Sequence, residues 1–278
     1  MSIARDLVAS LERLAAFGAP PPVKALHLPP LEAADSRNGE FCALELADGS
    51  LGLSYVLLDD TLSRLHDASG RHALAGADSL ALARAFAGPH GIRRTLGFAA
   101  VNALTRHLFD RAGFVPPTSS DSIGQMDPQP GEAIGMVGYF KPLAARIAQV
   151  GAKLTVLELK PELAGEKDGY RVSLEPRDLA DCAKVLCTST VLLNDTLDRV
   201  LAACPQARRF ALVGPGAGCL PDPLFGRGVT LVGGNWIADR AGFLAALAVG
   251  ESWGTAAWKF ALTPETYPGF ETLLGRLG

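Results

Sequence analysis

The stretch from Ala133 to Glu158, AIGMVGYFKPLAARIAQVGAKLTVLE, constrains this chain more than any other. An apolar run, Ala133–Val137, reaches Gly138, and a Pro-containing turn follows, Tyr139-Phe140-Lys141-Pro142. A helical pattern then runs from Leu143 to Val150, Gly151 closes it, and a second apolar run, Leu154–Leu157, ends on Glu158. Strand, glycine turn, helix and a strand with a terminal carboxylate form the opening βαβ unit of a doubly wound sheet. The predicted fold is therefore α/β: a Rossmann-like, mostly parallel sheet with helices on both faces.

The chain ahead of this unit reads differently. The start, MSIARDLVASLERLAAFG, is an amphipathic helical pattern with Leu7, Leu11 and Leu14 on one face, broken by Pro20-Pro21-Pro22. Phe41–Ala47 and Leu51–Leu57 alternate around Asp48-Gly49, which predicts an antiparallel hairpin. From Ser79 the pattern is helical, and Ile92–Phe109 is apolar on most sides, so that helix should be buried, with Asn102 in need of a partner. Val115–Gly131, rich in Pro, Ser, Asp and Gly, has the composition of a linker. The expected division is a smaller α+β domain over residues 1–118, a linker over 119–131 and the Rossmann-like domain over 132–278.

Beyond Glu158 the reading is an irregular charged stretch, Lys160–Glu175, then a strand, Lys184–Cys187, ending in Thr188-Ser189-Thr190. Asn194 is expected to cap the N-terminus of the helix DTLDRVLAAC. A strand at Phe210–Val213 ends in Gly214-Pro215-Gly216-Ala217-Gly218, and one at Val229–Val232 ends in the loop Gly233-Gly234-Asn235. In an open parallel sheet all strand C-termini share one rim, and ligands bind outside it. Four Gly-rich or hydroxylated loops on one rim expose backbone N–H groups to a polar or anionic ligand.

Several function classes are disfavoured. With a net charge of −3 and only three Trp and four Tyr, the chain gives no reason to expect nucleic acid. It has no apolar run of membrane-spanning length, and its start lacks the pattern of a signal peptide, so a cytoplasmic protein is expected. Five cysteines without a CxxC pair suit reduced thiols. His66 and His72, in a polar loop near Asp59, Asp60 and Asp67, do not match a zinc spacing, and no GxSxG, HExxH or Walker motif occurs. The GxGxxG fingerprint fails as well, because Phe140 and Leu143 stand where its second and third glycines belong. NAD(P) bound through that fingerprint is therefore disfavoured, although Glu158 sits where a ribose-binding acid would.

The runs IGMVGYFKPLAARI, VLE, CTSTVLLNDTLDRVL, GPGAGCLPDPLF and GVTLVGG, in that order, resemble the Rossmann-like domain of the uncharacterised "putative heavy-metal chelation" family. The earlier GLSYVLL and GFAAVNAL resemble that family's N-terminal domain, which is enolase-N-terminal-like. The resemblance implies an active site in the crevice between the domains. Carried over by motif, its residues are Gly138, Tyr139, Phe140, Glu158, Thr188, Thr190, Asn194, Gly214 and Pro215, with Asn102 facing the cleft. The chain departs at Gly216-Ala217, where a hydroxyl residue is expected, which leaves the backbone N–H of Gly216 as the contact there.

The favoured expectation is a protein that binds, with or without transforming it, a small polar or anionic metabolite, metal-chelating ones included. In it Glu158 and Asn194 are the candidate catalytic residues and the remaining positions hold the ligand. The alternatives are a metal-binding protein without turnover, using carboxylates with His66 or His72, and a nucleotide-dependent oxidoreductase or transferase. A metal ion stays open as cofactor with its ligands unassigned, and an Ala- and Leu-rich surface is compatible with a homodimer.

Overall fold

The computed structural model describes residues 2–34, 36–67, 74–120 and 125–278. The first unit begins with α1 (Ile3–Leu14), whose Ile3, Leu7, Leu11 and Leu14 are buried. Next come β1 (Val23–His27), β2 (Phe41–Leu46) and β3 (Leu51–Tyr55), an antiparallel meander in that order. β1 was not expected. Its short run behind three prolines has no alternation of its own and pairs because β2 offers an open edge. The helices α2 (Thr61–Asp67), α3 (Ser79–Arg84) and α4 (Ile92–Arg111) complete the unit. His66 therefore lies on a helix rather than in a polar loop, and His72 lies outside the described residues.

α4 crosses β3 at very close range. A Cβ on Gly52 would stand 2.1 Å from Ala99 O and 2.2 Å from Ala103 N, so only glycine lets strand and helix backbones meet there.

The second unit contains β4 (Ala133–Val137), α5 (Lys141–Gln149), β5 (Lys153–Leu157), β6 (Gly165–Lys167) and β7 (Tyr170–Ser173). It continues with β8 (Lys184–Thr188), α6 (Thr190–Leu193), α7 (Leu197–Ala202), β9 (Arg209–Val213) and α8 (Asp222–Phe225). β10 (Leu231–Ile237), α9 (Arg240–Ala248), β11 (Ala257–Leu262) and α10 (Phe270–Gly275) end the chain. α5 starts two residues earlier than the pattern suggested, since Pro142 fits the first helical turn, where its missing N–H costs nothing.

The sheet order is β11-β10-β9-β8-β4-β5-β7-β6. β4 to β10 run parallel apart from β6, and numbered along the chain these six parallel strands give the doubly wound order 3-2-1-4-5-6. β6 and β11 are antiparallel edges. Two expectations change here. The charged stretch Lys160–Glu175 contains the β6–β7 hairpin, in which exposed charged side chains suit an edge strand. Gly233-Gly234-Asn235 is not a loop but the middle of β10, which continues to Ile237 because β11 pairs with it from Val232 to Ile237.

Alternation along the parallel strands feeds two apolar layers. Ile134, Met136, Val156, Leu186 and Ala211 join Ala144 and Ile147 of α5 in one. Val137, Val185, Cys187, Leu212 and Val232 belong to the other, which also holds Leu7, Leu44, Phe98 and Leu104 of the first unit. Helices thus cover both faces, and a single core continues from the sheet into the first unit.

A buried carboxylate also ties the units together. Glu45 on β2 pairs with Lys24 and His27 of β1, both at 2.9 Å, and with Arg240 of α9 at 3.2 Å. Burial raises the Glu45 pKa, but the hydrogen bonds from Lys24 and His27 outweigh it and hold the carboxyl below its usual value. A depressed folded-state pKa gives stability that is present above the unfolded value, about 4.3, and is lost as pH falls through the folded one. The melting temperature is therefore expected to drop with acid from about pH 4.3 downward, and more shallowly in Glu45→Gln. Equal acid slopes in wild type and variant would remove Glu45 from the account.

Candidate functional site

In this strand order the direction of winding reverses between β4 and β8, which makes the loops after those strands the topological switch point. Gly138 leaves β4 at φ +83°, a backbone conformation suited to glycine. A Cβ there would stand 2.9 Å from Thr188 Cγ2, so the two loops pack directly on each other. Thr188 Oγ1 accepts the Thr190 N–H at 3.3 Å and donates to Thr190 Oγ1 at 3.1 Å.

The remaining predicted residues fall into two groups. Glu158 is held by backbone: its carboxylate accepts the N–H groups of Tyr139 (3.1 Å) and Leu159 (2.7 Å). Tyr139 turns its hydroxyl to Tyr170 OH, 2.6 Å away near the start of β7, and both Tyr139 and Phe140 pack on the α5-side core. Asn194 is not an N-cap. It ends α6, and its Oδ1 accepts the Thr196 hydroxyl at 2.6 Å, while Thr196 opens α7. The reason is local: Asp195 takes a left-handed conformation, φ +57°, which breaks the run into two short helices.

The loop after β9 meets the first unit. Gly214 has φ +141°, and a Cβ on it would stand 2.6 Å from Ser189 Oγ. A Cβ on Gly216 would stand 3.2 Å from Ser189 Oγ, a tight contact, and 3.5 and 3.9 Å from the Phe98 and Phe41 rings. Asn102, buried on α4, donates through Nδ2 to Leu53 O at 2.6 Å and to Gly216 O at 3.1 Å. Its Oδ1 is buried and has no hydrogen-bond partner among the described residues. Asn102, Pro215 and Gly218 line a cavity of ≈ 30 Å³ together with Arg106, Asn235 and Trp236.

Some participants carried no signal in the sequence. Tyr55, half-buried at the end of β3, stacks edge-on against Phe41 with centroids 5.6 Å apart. Burial raises its pKa, and the nearby charges of Glu40, in the same unit, and then Glu158, in the other, raise it further, so the phenol is kept neutral. Arg106 lies over the Trp236 ring at 3.7 Å and donates to Ile237 O at 2.9 Å. Both residues look like ordinary hairpin and helix positions, and only the packing of the two units brings them to the rim.

Known proteins resemble most of the chain. A family model described as "putative heavy-metal chelation" matches residues 121–263, and a second of the same description matches residues 29–105. An uncharacterised protein of Methanocaldococcus jannaschii is 31% identical over 150 residues, which is 53% of this chain and 56% of that protein. The chain thus spans little more than half the length of this curated relative. A crystal structure of a protein of unknown function from Desulfitobacterium hafniense superposes with a TM-score of 0.70 at 20% identity, covering 94% of this chain and 98% of that one. One from Pyrococcus horikoshii gives 0.64 at 19%, covering 92% and 99%. These two likenesses establish the fold.

The family's description raises the question of a metal. A structural zinc site needs about four deprotonated donors, and a catalytic one about three. Among the described residues no three of His, Cys, Asp and Glu come together in that way. The five cysteines are buried, and burial pushes Cys42, Cys204 and Cys219 up to about 12 and Cys182 to about 11. His66 Nε2 donates to Pro29 O at 2.8 Å. These residues do not fit a protein-held metal, and no chemistry is assigned to one. Among the described residues, no helix is long and apolar enough to cross a membrane.

Proposed function

The chain belongs to the family described as "putative heavy-metal chelation", and from that premise we propose that it binds a small polar or anionic metabolite, one able to chelate a metal, at the C-terminal rim of its sheet. One observation carries this reading. Asn102 of the first unit closes over the loop after β9 through Gly216 O, which brings polar groups of both units to one crevice. In this reading Gly138, Thr188, Thr190 and the backbone of Gly214, Pro215 and Gly216 hold the ligand. Glu158 and Tyr55 would be the groups available for proton handling, Asn194 would position the ligand through its carboxamide, and the chelating atoms are the ligand's own. The division at residues 119–131 belongs to the same proposal, with the crevice between the parts it separates. The engagement of both Glu158 oxygens with backbone N–H groups speaks against a ribose contact there.

The test is a native mass spectrum of freshly purified protein, paired with elemental analysis. An organic adduct is expected, and its occupancy should fall several-fold in Thr188→Val, which keeps the shape of the side chain and puts a methyl group in place of the hydroxyl. Stoichiometric metal without an organic adduct would replace this reading with direct chelation. An adduct that survives Thr188→Val unchanged would move the site away from the switch point.

A further inference from the structure

The Asn102 amide is oriented without ambiguity. Its two Nδ2 hydrogens face two carbonyl oxygens, Leu53 O and Gly216 O. A flipped amide would set Oδ1 against both acceptors and forfeit both bonds, so the oxygen must point the other way. There it is buried and unpartnered among the described residues, with Asn102 only 3% exposed. A Cβ on Gly218 would lie 3.8 Å from that oxygen and 3.6 Å from Asn102 Cγ, so Gly218 is the residue that packs against the amide from the cavity side. Gly218 and Asn102 line the same cavity, and Pro215, Gly218 and Asn235 are half-exposed at its edge.

A buried acceptor left unpaired costs about 1–3 kcal/mol, so a group that donates to it gains correspondingly. Four residues along α4, on the same helical face, Arg106 supplies a guanidinium. Its Nε is engaged with Asp110 and Nη1 with Ile237 O, and its plane is fixed over Trp236. Asn235 adds a neutral carboxamide at the edge, and the other walls are mostly apolar, among them Leu51, Leu53 and Phe260. This charge pattern selects the occupant. A carboxylate would suit Arg106 but be repelled by Oδ1, and an ammonium would suit Oδ1 but be repelled by Arg106. A neutral group carrying a donor beside an acceptor, H–N–C=O, satisfies both. The ≈ 30 Å³ available admits such a group but not a whole metabolite.

Resting on the crevice reading above, the geometry points to an amide-type end, a carboxamide, lactam or ureido group, as the part of the ligand inserted between Asn102 and Arg106. Asn102 Oδ1 accepts its N–H and Arg106 donates to its carbonyl. The charged or chelating portion stays outside, toward Gly214 and Thr188.

The experiment uses the isotopically labelled full-length chain and three probes of nearly equal size: formamide, formate and methylammonium. Each is titrated at constant ionic strength while the side-chain resonances of Asn102 and Arg106 are followed. Formamide is expected to shift both saturably, with an affinity at least about tenfold above the other two, since a polar site rejects analogues that leave its groups unpaired. Gly218→Val, which fills the cavity, should abolish the formamide shift while the protein still melts cooperatively. If that variant does not fold, the three-probe comparison in wild type decides alone. Formate or methylammonium binding as well as formamide overturns the assignment, and so does the absence of any saturable shift, which would leave the cavity to water. The crevice reading fails separately. An adduct in the native spectrum with no formamide preference sinks only the amide assignment, and formamide preference with no adduct sinks only the metabolite.

Discussion

Arg94→Met is expected to lower the unfolding free energy by about 3–5 kcal/mol, the usual cost of breaking a buried charged network from one side. Arg94 is 3% exposed. Its Nε and Nη2 donate to the last carbonyls of α6, Leu193 O at 2.7 Å and Leu192 O at 3.2 Å, and Nη1 donates to Gly88 O at 3.0 Å. Asp195 Oδ1 lies 3.3 Å away, and the Phe86 ring lies 4.8 Å below the guanidinium. Burial lowers the Arg94 pKa and Asp195 works against it, so the ion is kept by its partners rather than by solvent. Methionine keeps much of the volume but strands three carbonyl oxygens. Lysine keeps the charge but cannot reproduce the planar fork, so Arg94→Lys should recover only part of the loss. Urea unfolding followed by far-UV circular dichroism measures both, and a loss below about 1 kcal/mol for methionine would show that these bonds contribute little net stability. Because α6 begins at Thr190, the same substitution should also loosen the switch-point loop.

Gly52→Ala should be as damaging, although it adds a single methyl group. That methyl would fall on Ala99 O and Ala103 N, which are backbone atoms that cannot rotate away. Either β3 or α4 must shift by about an ångström or more, and overpacking of this kind costs about 1–3 kcal/mol and occasionally more. This case belongs at the upper end. The displacement would also pull Leu53 O from Asn102, so the crevice should be lost along with stability. A drop in melting temperature of roughly 6 °C or more is the expected reading for a chain of this size. A fully stable Gly52→Ala would contradict the close crossing of β3 and α4.

Much of the fold was legible because it is written in short-range terms. The βαβ opening declared itself through Gly138, Gly151 and two apolar runs of strand length. The hairpin declared itself through Asp48-Gly49, and α4 through its length. What escaped was decided by partners distant in sequence. β1 becomes a strand only because β2 stands beside it, and Gly233-Gly234-Asn235 remains extended only because β11 pairs with it. Asn194 has the chemistry of an N-cap, but Asp195 turns the chain left-handed immediately after it. The rim residues were legible as loops after strands, and Asn102 as a polar residue in an apolar helix. Tyr55, Arg94 and Arg106 were not, since each owes its place to the docking of one unit on the other.

That docking also bears on how a ligand would get in. Halves joined by a hinge part along two finished surfaces, each dry on the inside. Here Leu7 and Leu11 of α1 lie in the same apolar cluster as Leu220 and Leu224 beside the sheet, so swinging the halves apart would flood a core. The crevice proposed above would then be a fixed notch. Entry and exit fall to the rim loops themselves, and mutations that slow release should map to Gly214–Gly218 and Thr188–Thr190, not to the connecting segment.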